Sequence, residues 1–176
     1  MSTTLSKSDL DLSQIINGVT IMAPSPSGYH QDISGNLYFL FRKYTKTSLT
    51  GKIFSAPLDV IFEDGLNVVQ PDLIYIKKEN MSIFDSKGYI HGVPDLLIEI
   101  VSTSSVSRDT VEKYKIYEKY GVSEYWIVFP ELKVVEVFVL KDGKYSLFCS
   151  TENTEGVLSS VILTDFKVKV EEVFEG

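Results

Sequence analysis

The chain has 176 residues, of which 44% are hydrophobic and 23% are charged, so its composition is that of a globular protein and not of a disordered one. With one cysteine and two histidines, it can form neither an internal disulfide nor a zinc site built from cysteines and histidines. The net charge of -7 argues against DNA binding through bulk electrostatics alone, although it does not decide the partner.

We expect a cytoplasmic protein without membrane association. No stretch approaches the roughly 18 uninterrupted apolar residues of a membrane span. The segment from Met1 to Leu12 is polar and acidic, unlike a secretory signal. The length fits one domain, and we place a polar N-terminal segment at residues 1–14 and the domain at residues 15–176.

The first half of the chain predicts one helix and three strands. Ser27 can cap a helix that runs to about Lys46. Apolar residues at spacings of three and four predict its buried stripe, namely Ile33, Leu37, Leu40 and Tyr44. The strands are predicted at residues 52–62, 67–76 and 95–101, with a turn at residues 63–65.

The second half predicts a helix followed by further strands. The helix should run from about Arg108 to Tyr120 and end at Gly121. The strands are predicted at residues 125–129, 134–140 and 145–150, and residues 163–174 should form a last strand or a short helix. This order predicts an α/β fold with a mixed central sheet flanked by helices.

The third predicted strand contains a carboxylate where an apolar residue is expected. Glu99 lies in the middle of an aliphatic run, and this run is typical of a strand covered on both faces. An unpaired ionised carboxylate in that position would cost several kcal/mol. Glu99 therefore needs a cation, a set of hydrogen bonds or a proton.

A second acid and a lysine are expected beside Glu99. Asp72 follows Pro71 within an apolar run, and a proline there interrupts the hydrogen bonds of a strand. Asp109, Lys113 and Tyr117 are four residues apart and share one face of their helix. If that face packs on the sheet, Lys113 can reach both Glu99 and Asp72.

Two carboxylates with a nearby lysine are typical of a site for a hard cation. Mg²⁺, or Mn²⁺ in its place, binds one or two protein carboxylates and keeps waters or substrate phosphate as its other ligands. The competing interpretation is structural, because Asp72 and Glu99 could form salt bridges with Lys113 or Arg108. The residues alone leave both interpretations open.

Several spaced motifs resemble a known family. They are Gln70-Pro71-Asp72-Leu73, Pro94-Asp95-Leu96 leading into Ile98-Glu99-Ile100-Val101-Ser102, Asp109-x3-Lys113-x3-Tyr117, and Gly121-Val122-x-Glu124-Tyr125-Trp126. Together they resemble the restriction endonuclease family of the Uma-two type, within the PD-(D/E)xK nuclease superfamily. The resemblance covers roughly residues 15 to 174.

The resemblance implies a restriction-endonuclease-like fold and a Mg²⁺-dependent endonuclease that cleaves DNA. Carried onto this chain, Asp72 and Glu99 bind the metal, and the Ile100 carbonyl is an additional ligand. Val101 stands where the superfamily usually has its catalytic lysine. Lys113 is then the matching lysine, displaced onto the following helix.

The same resemblance suggests supporting residues. His30 would replace the acid that many relatives have on their N-terminal helix, and Gln70 and Asp95 would hold waters around the metal. Asp109 and Tyr117 would lie beside Lys113. A homodimer is expected, because one such site cuts one strand.

Two other functions compete with a nuclease. One is a module that kept the fold, lost turnover and serves in nucleic-acid binding or assembly. The other is a hydrolase that uses two carboxylates on a sugar, for which the sequence offers no clear aromatic sugar platform.

Overall fold

The computed structural model describes residues 12–22, 25–62 and 65–176. Its strands are β1 (Ser13–Ile16), β2 (Val19–Met22), β3 (Gly51–Ser55), β4 (Val60–Ile61), β5 (Val68–Val69), β6 (Leu73–Lys77), β7 (Ile90–His91), β8 (Leu96–Ile100), β9 (Glu124–Phe129), β10 (Val134–Lys141), β11 (Lys144–Ser150), β12 (Val157–Ser159) and β13 (Lys167–Lys169). Its α-helices are α1 (Gly28–Ser48), α2 (Tyr114–Tyr120) and α3 (Val170–Phe174). A π-helical segment (Arg108–Lys113) leads into α2, and 3-10 helices span Lys78–Ile83 and Pro130–Leu132.

A mixed sheet lies at the centre of the described part of the chain. Its strand order is β11-β10-β9-β8-β6-β3. The pair β8–β9 is parallel, and the other neighbours are antiparallel. A second sheet has the order β2-β1-β5-β4-β7, and β12 pairs with β13. The fold is α/β with a mixed central sheet flanked by helices, as predicted.

Both faces of the central sheet are covered, each by its own hydrophobic core. Helices α1 and α3 contribute to the core on one face, which includes Leu96, Ile98 and Ile100. Helix α2 and the second sheet contribute to the other, which includes Leu97 and Val101. The predicted alternation of β8 is confirmed, so Glu99 projects into a covered face.

Helix α1 begins where the sequence predicts. The Ser27 side chain accepts a hydrogen bond from the backbone N–H of His30, which caps the first turn. The buried stripe is partly different from the prediction, because Phe41 and Thr45 are buried while Leu40 and Tyr44 are only half-buried. Phe41 is drawn inward because its ring packs against aromatic rings of the core.

Two predicted strands are wrong in the same way. The segment at residues 52–62 divides into β3 and β4, and the segment at residues 67–76 divides into β5 and β6, with the two parts of each in different sheets. Each break contains a proline, Pro57 or Pro71, which has no N–H to donate to a strand ladder. Each segment therefore crosses from one sheet to the other at its proline.

The other predicted elements are confirmed to within a few residues. Strand β8, the helical region from Arg108 to Tyr120, the left-handed cap at Gly121 and strands β9 to β11 all form. The tail forms both of the predicted alternatives, β13 and then α3. The turn predicted at residues 63–65 lies partly outside the described residues. No helix in the described ranges is both long and apolar enough to cross a membrane.

We expect Phe41→Ala to lower the free energy of unfolding by about 3–5 kcal/mol. Phe41 is fully buried, and its ring centroid lies 5.4 Å from that of Trp126 and 4.5 Å from that of Phe166. The matched control is Phe39→Ala on the same helix, because Phe39 is 65% exposed and its loss should change stability by less than about 0.5 kcal/mol. Urea unfolding measures both, and equal effects would contradict this packing.

Candidate functional site

The pairing of two central strands brings Asp72 and Glu99 together. Leu73 of β6 lies opposite Ile98 of β8, so the next pair along the antiparallel register places Asp72 opposite Glu99. The backbone N–H of Ile100 donates a 2.7 Å hydrogen bond to Asp72 Oδ2. This bond fixes the aspartate at the carboxyl end of β8, although Asp72 itself lies just before β6.

The helical segment after β8 supplies the lysine. Lys113 Nζ donates to Glu99 Oε1 at 2.8 Å and lies 3.5 Å from Asp109 Oδ1. The Tyr117 hydroxyl donates to the same Glu99 Oε1 at 2.6 Å. None of these four side chains is more than about 4% exposed. The prediction that Asp109, Lys113 and Tyr117 share a face against the sheet is therefore confirmed.

The expected contact between Lys113 and Asp72 does not form. Both ion pairs of Lys113 within the described residues are with Glu99 and Asp109, and Asp72 acts on the lysine only through longer-range electrostatics. The first turn of α1 approaches Asp72 instead, with His30 Nε2 lying 3.4 Å from Asp72 Oδ2. The other ring nitrogen, His30 Nδ1, is buried and has no hydrogen-bond partner among the described residues.

Of the two remaining residues that the sequence predicts, Gln70 lies at the site and Asp95 lies away from it. The Gln70 side chain donates to Asp59 Oδ1 at 2.8 Å and lines the same pocket as Asp72. Asp95 lies at the opposite end of β8, about 13 Å from Glu99 at the usual rise of a strand. Its carboxylate accepts hydrogen bonds from the Lys77 backbone N–H and the Asn80 side chain. The expectation that Asp95 holds a water at the site does not agree with this position.

A pocket of about 580 Å³ opens over these groups. The sequence-predicted residues that line it are His30, Gln70, Asp72, Glu99, Ile100, Asp109 and Lys113. Hydroxyl side chains from Ser102 to Ser105 form part of its wall, together with Arg108. Arg108 was expected at most as a salt-bridge partner of Asp72 or Glu99, and the ion pairs of these two acids within the described residues are with His30 and Lys113 instead. A residue in the wall of a pocket has no periodic signal that the sequence could reveal.

The site contains more acid than its lysine can neutralise. Burial raises the pKa of Glu99 to about 8, against the opposing effect of the Lys113 ammonium. Burial also raises the pKa of Asp109. The pKa of Lys113 is raised as well, because Glu99 and Asp109 outweigh the effect of its burial. Lys113 thus stays charged at neutral pH, and Glu99 would ionise more readily with a further cation nearby.

The available oxygen atoms suit a small hard cation. Lys113 and Tyr117 both bind Glu99 Oε1, whereas Glu99 Oε2 and Asp72 Oδ1 receive no hydrogen bond from the described residues. Ile100 lines the same pocket. The described residues contain no group of three or more His, Cys, Asp or Glu side chains that could enclose a metal. Two carboxylates with room for waters and phosphate match the coordination that Mg²⁺ prefers in proteins.

Comparisons with known proteins agree with this architecture. A family model, Uma2, described as "Putative restriction endonuclease", matches residues 6–171. A solved structure from Anabaena variabilis, titled a "putative nuclease belonging to DUF820", has 20% sequence identity and a TM-score of 0.73, covering 92% of this chain and 89% of that one. The type IIG restriction endonuclease BpuSI has 14% identity and a TM-score of 0.43, covering 88% of this chain but 16% of its own. A search of curated proteins found no match.

We expect Glu99→Gln to flatten the pH dependence of stability in EDTA. The folded pKa of Glu99, about 8, exceeds its ordinary value of 4.5, so the folded state holds a proton that the unfolded state releases between these values. This contribution to stability is complete below pH 4.5 and is lost as the pH rises through the folded pKa, at no more than about 1.4 kcal/mol per pH unit.

Urea unfolding of both proteins at about pH 5.5 and about pH 8 measures this difference. The wild-type protein should lose more stability than Glu99→Gln over this interval. Groups with raised pKa values outside this cluster, such as Glu124, act in both proteins and cancel in the comparison. Equal losses in the two proteins would show that the Glu99 carboxyl does not hold this proton.

Proposed function

Because the chain belongs to the Uma2 family, described as "Putative restriction endonuclease", we propose that it is a metal-dependent endonuclease that hydrolyses phosphodiester bonds of DNA. The observation that carries this proposal is the convergence of Asp72, Glu99 and Lys113 on one pocket. A purely structural ion pair needs no such opening, whereas a hydrolase needs space for a phosphate and a water beside its charged groups.

We assign Mg²⁺, or Mn²⁺, to Asp72, Glu99 and the Ile100 carbonyl. The support is the chemistry of these donors, which are hard oxygens, and the excess of buried acid around them. Once bound, such a cation lowers the pKa of a coordinated water and offsets charge on the phosphate. The hydrogen bond from the Ile100 N–H keeps Asp72 aligned with this group of ligands.

Lys113 is assigned as a donor in this reaction and not as a base. An ammonium has three N–H groups, of which one donates to Glu99 and a second faces Asp109. The third is available to a water or to a phosphate oxygen in the pocket that Lys113 lines. Because its pKa is raised, Lys113 orients the attacking water and stabilises negative charge in the transition state.

The supporting residues hold this arrangement in place. The pKa of Tyr117 is raised well above its ordinary value by burial and by Glu99, so its hydroxyl remains a donor and fixes Glu99 Oε1. His30 approaches Asp72 from α1 at 3.4 Å, and Asp109 holds the lysine from the far side. Cutting both strands of a duplex requires two such sites, so our proposal includes a homodimer.

We expect Asp72→Asn and Lys113→Ala each to reduce EDTA-sensitive cleavage of DNA at least about 100-fold, since each removes a group that acts on the transition state. Asp95→Asn is the matched control. It also changes an aspartate that follows a proline, but it lies outside the pocket and should keep nearly full activity. Plasmid nicking and a labelled single-stranded oligonucleotide, each with Mg²⁺ or Mn²⁺, provide the measurement.

Equal cleavage by the wild-type protein and Asp72→Asn would assign the activity to a contaminant or to another site. DNA binding without cleavage in either metal would favour the inactive nucleic-acid-binding module instead.

Binding of Mn²⁺ should release protons and strengthen as the pH rises from about 6 to about 8. Glu99, with its pKa raised to about 8, must lose its proton before it can act as a ligand. Isothermal titration calorimetry in two buffers with different ionisation enthalpies counts the protons. Asp72→Asn should lose the binding, and Asp95→Asn should keep it. Binding with the same affinity at every pH would contradict Glu99 as a ligand.

A further inference from the structure

Arg108 is a charged side chain in the wall of the pocket that forms no ion pair with the residues the structure describes. It is half-buried and is the first residue of the π-helical segment. Within the described part of the chain, its guanidinium takes part in no ion pair and no hydrogen bond. The charge of Arg108 acts to lower the pKa of Asp109, but the ion pair of Asp109 is with Lys113. Arg108 therefore contributes little to holding the fold together.

The backbone keeps Arg108 at the pocket. The next residue, Asp109, is buried against Lys113, and Lys113 is anchored to Glu99. These contacts fix the helical segment on both sides of its first turn. The backbone of Arg108 is thus held in position by a rigid element before any ligand binds.

The acidic side chains that line the pocket outnumber its lysine and arginine, so each cation there matters for binding an anion. The acids that line it are Asp72, Glu99, Asp109 and Glu131, and the basic side chains among its described lining residues are Arg108 and Lys113, with His30 as the only imidazole. Lys113 is already paired with two of these acids. Arg108 is therefore a lining cation that forms no ion pair with any described acid, whereas Lys113 already has two such pairs.

We propose that Arg108 is a positioning residue that binds a backbone phosphate next to the scissile one. This assignment rests on the proposed nuclease function. A guanidinium presents a planar set of donors that matches two phosphate oxygens at once. Arg108 and Lys113 stand at the two ends of the π-helical segment, and Lys113 is buried against Glu99 whereas Arg108 is half-buried; we therefore assign them to different phosphate groups. The more exposed arginine holds the strand, and the buried lysine faces the reacting phosphate.

The chain offers a matched control for this assignment. Its other arginine, Arg42, lies on α1 and does not line the pocket. Fluorescence anisotropy with a labelled oligonucleotide in Ca²⁺, with intact DNA verified afterwards on a gel, compares Arg108→Gln, Arg108→Lys and Arg42→Gln. We expect Arg108→Gln to weaken binding about 10- to 100-fold and Arg42→Gln to leave it within about twofold.

The dependence of affinity on salt separates a phosphate contact from a structural effect. Loss of one contact should reduce the slope of log affinity against log salt by about 0.7 to 0.9. Arg108→Lys should keep the slope and lose part of the affinity, because a lysine retains the charge but not the planar fork. Thermal unfolding should be the same in all three variants.

Two results would overturn the assignment. One is an unchanged affinity and slope in Arg108→Gln, and the other is an equal loss of affinity in Arg42→Gln. Cleavage that depends on Asp72 but not on Arg108 would overturn this inference alone. Absence of DNA binding by the wild-type protein would overturn both this inference and the proposed function.

Discussion

The structure depends on how one buried carboxylate, that of Glu99, is accommodated in the middle of a sheet that is covered on both faces. Lys113 and Tyr117 bind the same oxygen of Glu99 from the covering helix, and the other oxygen receives no hydrogen bond from the described residues. Burial of a charge in such a place is costly unless the charge is paired and hydrogen-bonded. Because the pKa of Glu99 remains raised to about 8 despite the lysine, the pairing is incomplete, and a divalent cation would complete it.

The irregular parts of the fold serve this arrangement. The chain leaves one sheet after Val69 and enters the other at Leu73, and Asp72 lies in the short crossing between them. A residue within a continuous central strand would have its backbone fixed by hydrogen bonds to the two neighbouring strands. At the crossing, Asp72 can turn to accept the N–H of Ile100. The π-helical segment acts similarly on the other side, since it brings Asp109 and Lys113 to one face, and such segments are frequent at functional sites.

Much of this could be predicted from the sequence, because the key residues carry strong local signals. An acid inside an aliphatic run identified Glu99, and a spacing of four identified Asp109, Lys113 and Tyr117. The division of two long strands between sheets could not be predicted, since a proline allows either an edge strand or a crossing, and only tertiary packing decides. Asp95 has the same local motif as Asp72, a proline followed by an aspartate, and each directly precedes the first residue of its strand. The two lie at opposite edges of the sheet because β6 and β8 are antiparallel, and only the strand pairing decides this.

Anomalous diffraction from crystals soaked in Mn²⁺ near pH 8 tests directly whether a divalent cation binds between Asp72 and Glu99. We predict a single strong peak between Asp72 and Glu99, within coordination distance of both carboxylates and of the Ile100 carbonyl, with Lys113 still bound to Glu99. Crystals that show no peak there, with the Glu99 and Asp72 oxygens turned apart or occupied by other protein donors, would contradict the account and leave only the shared fold.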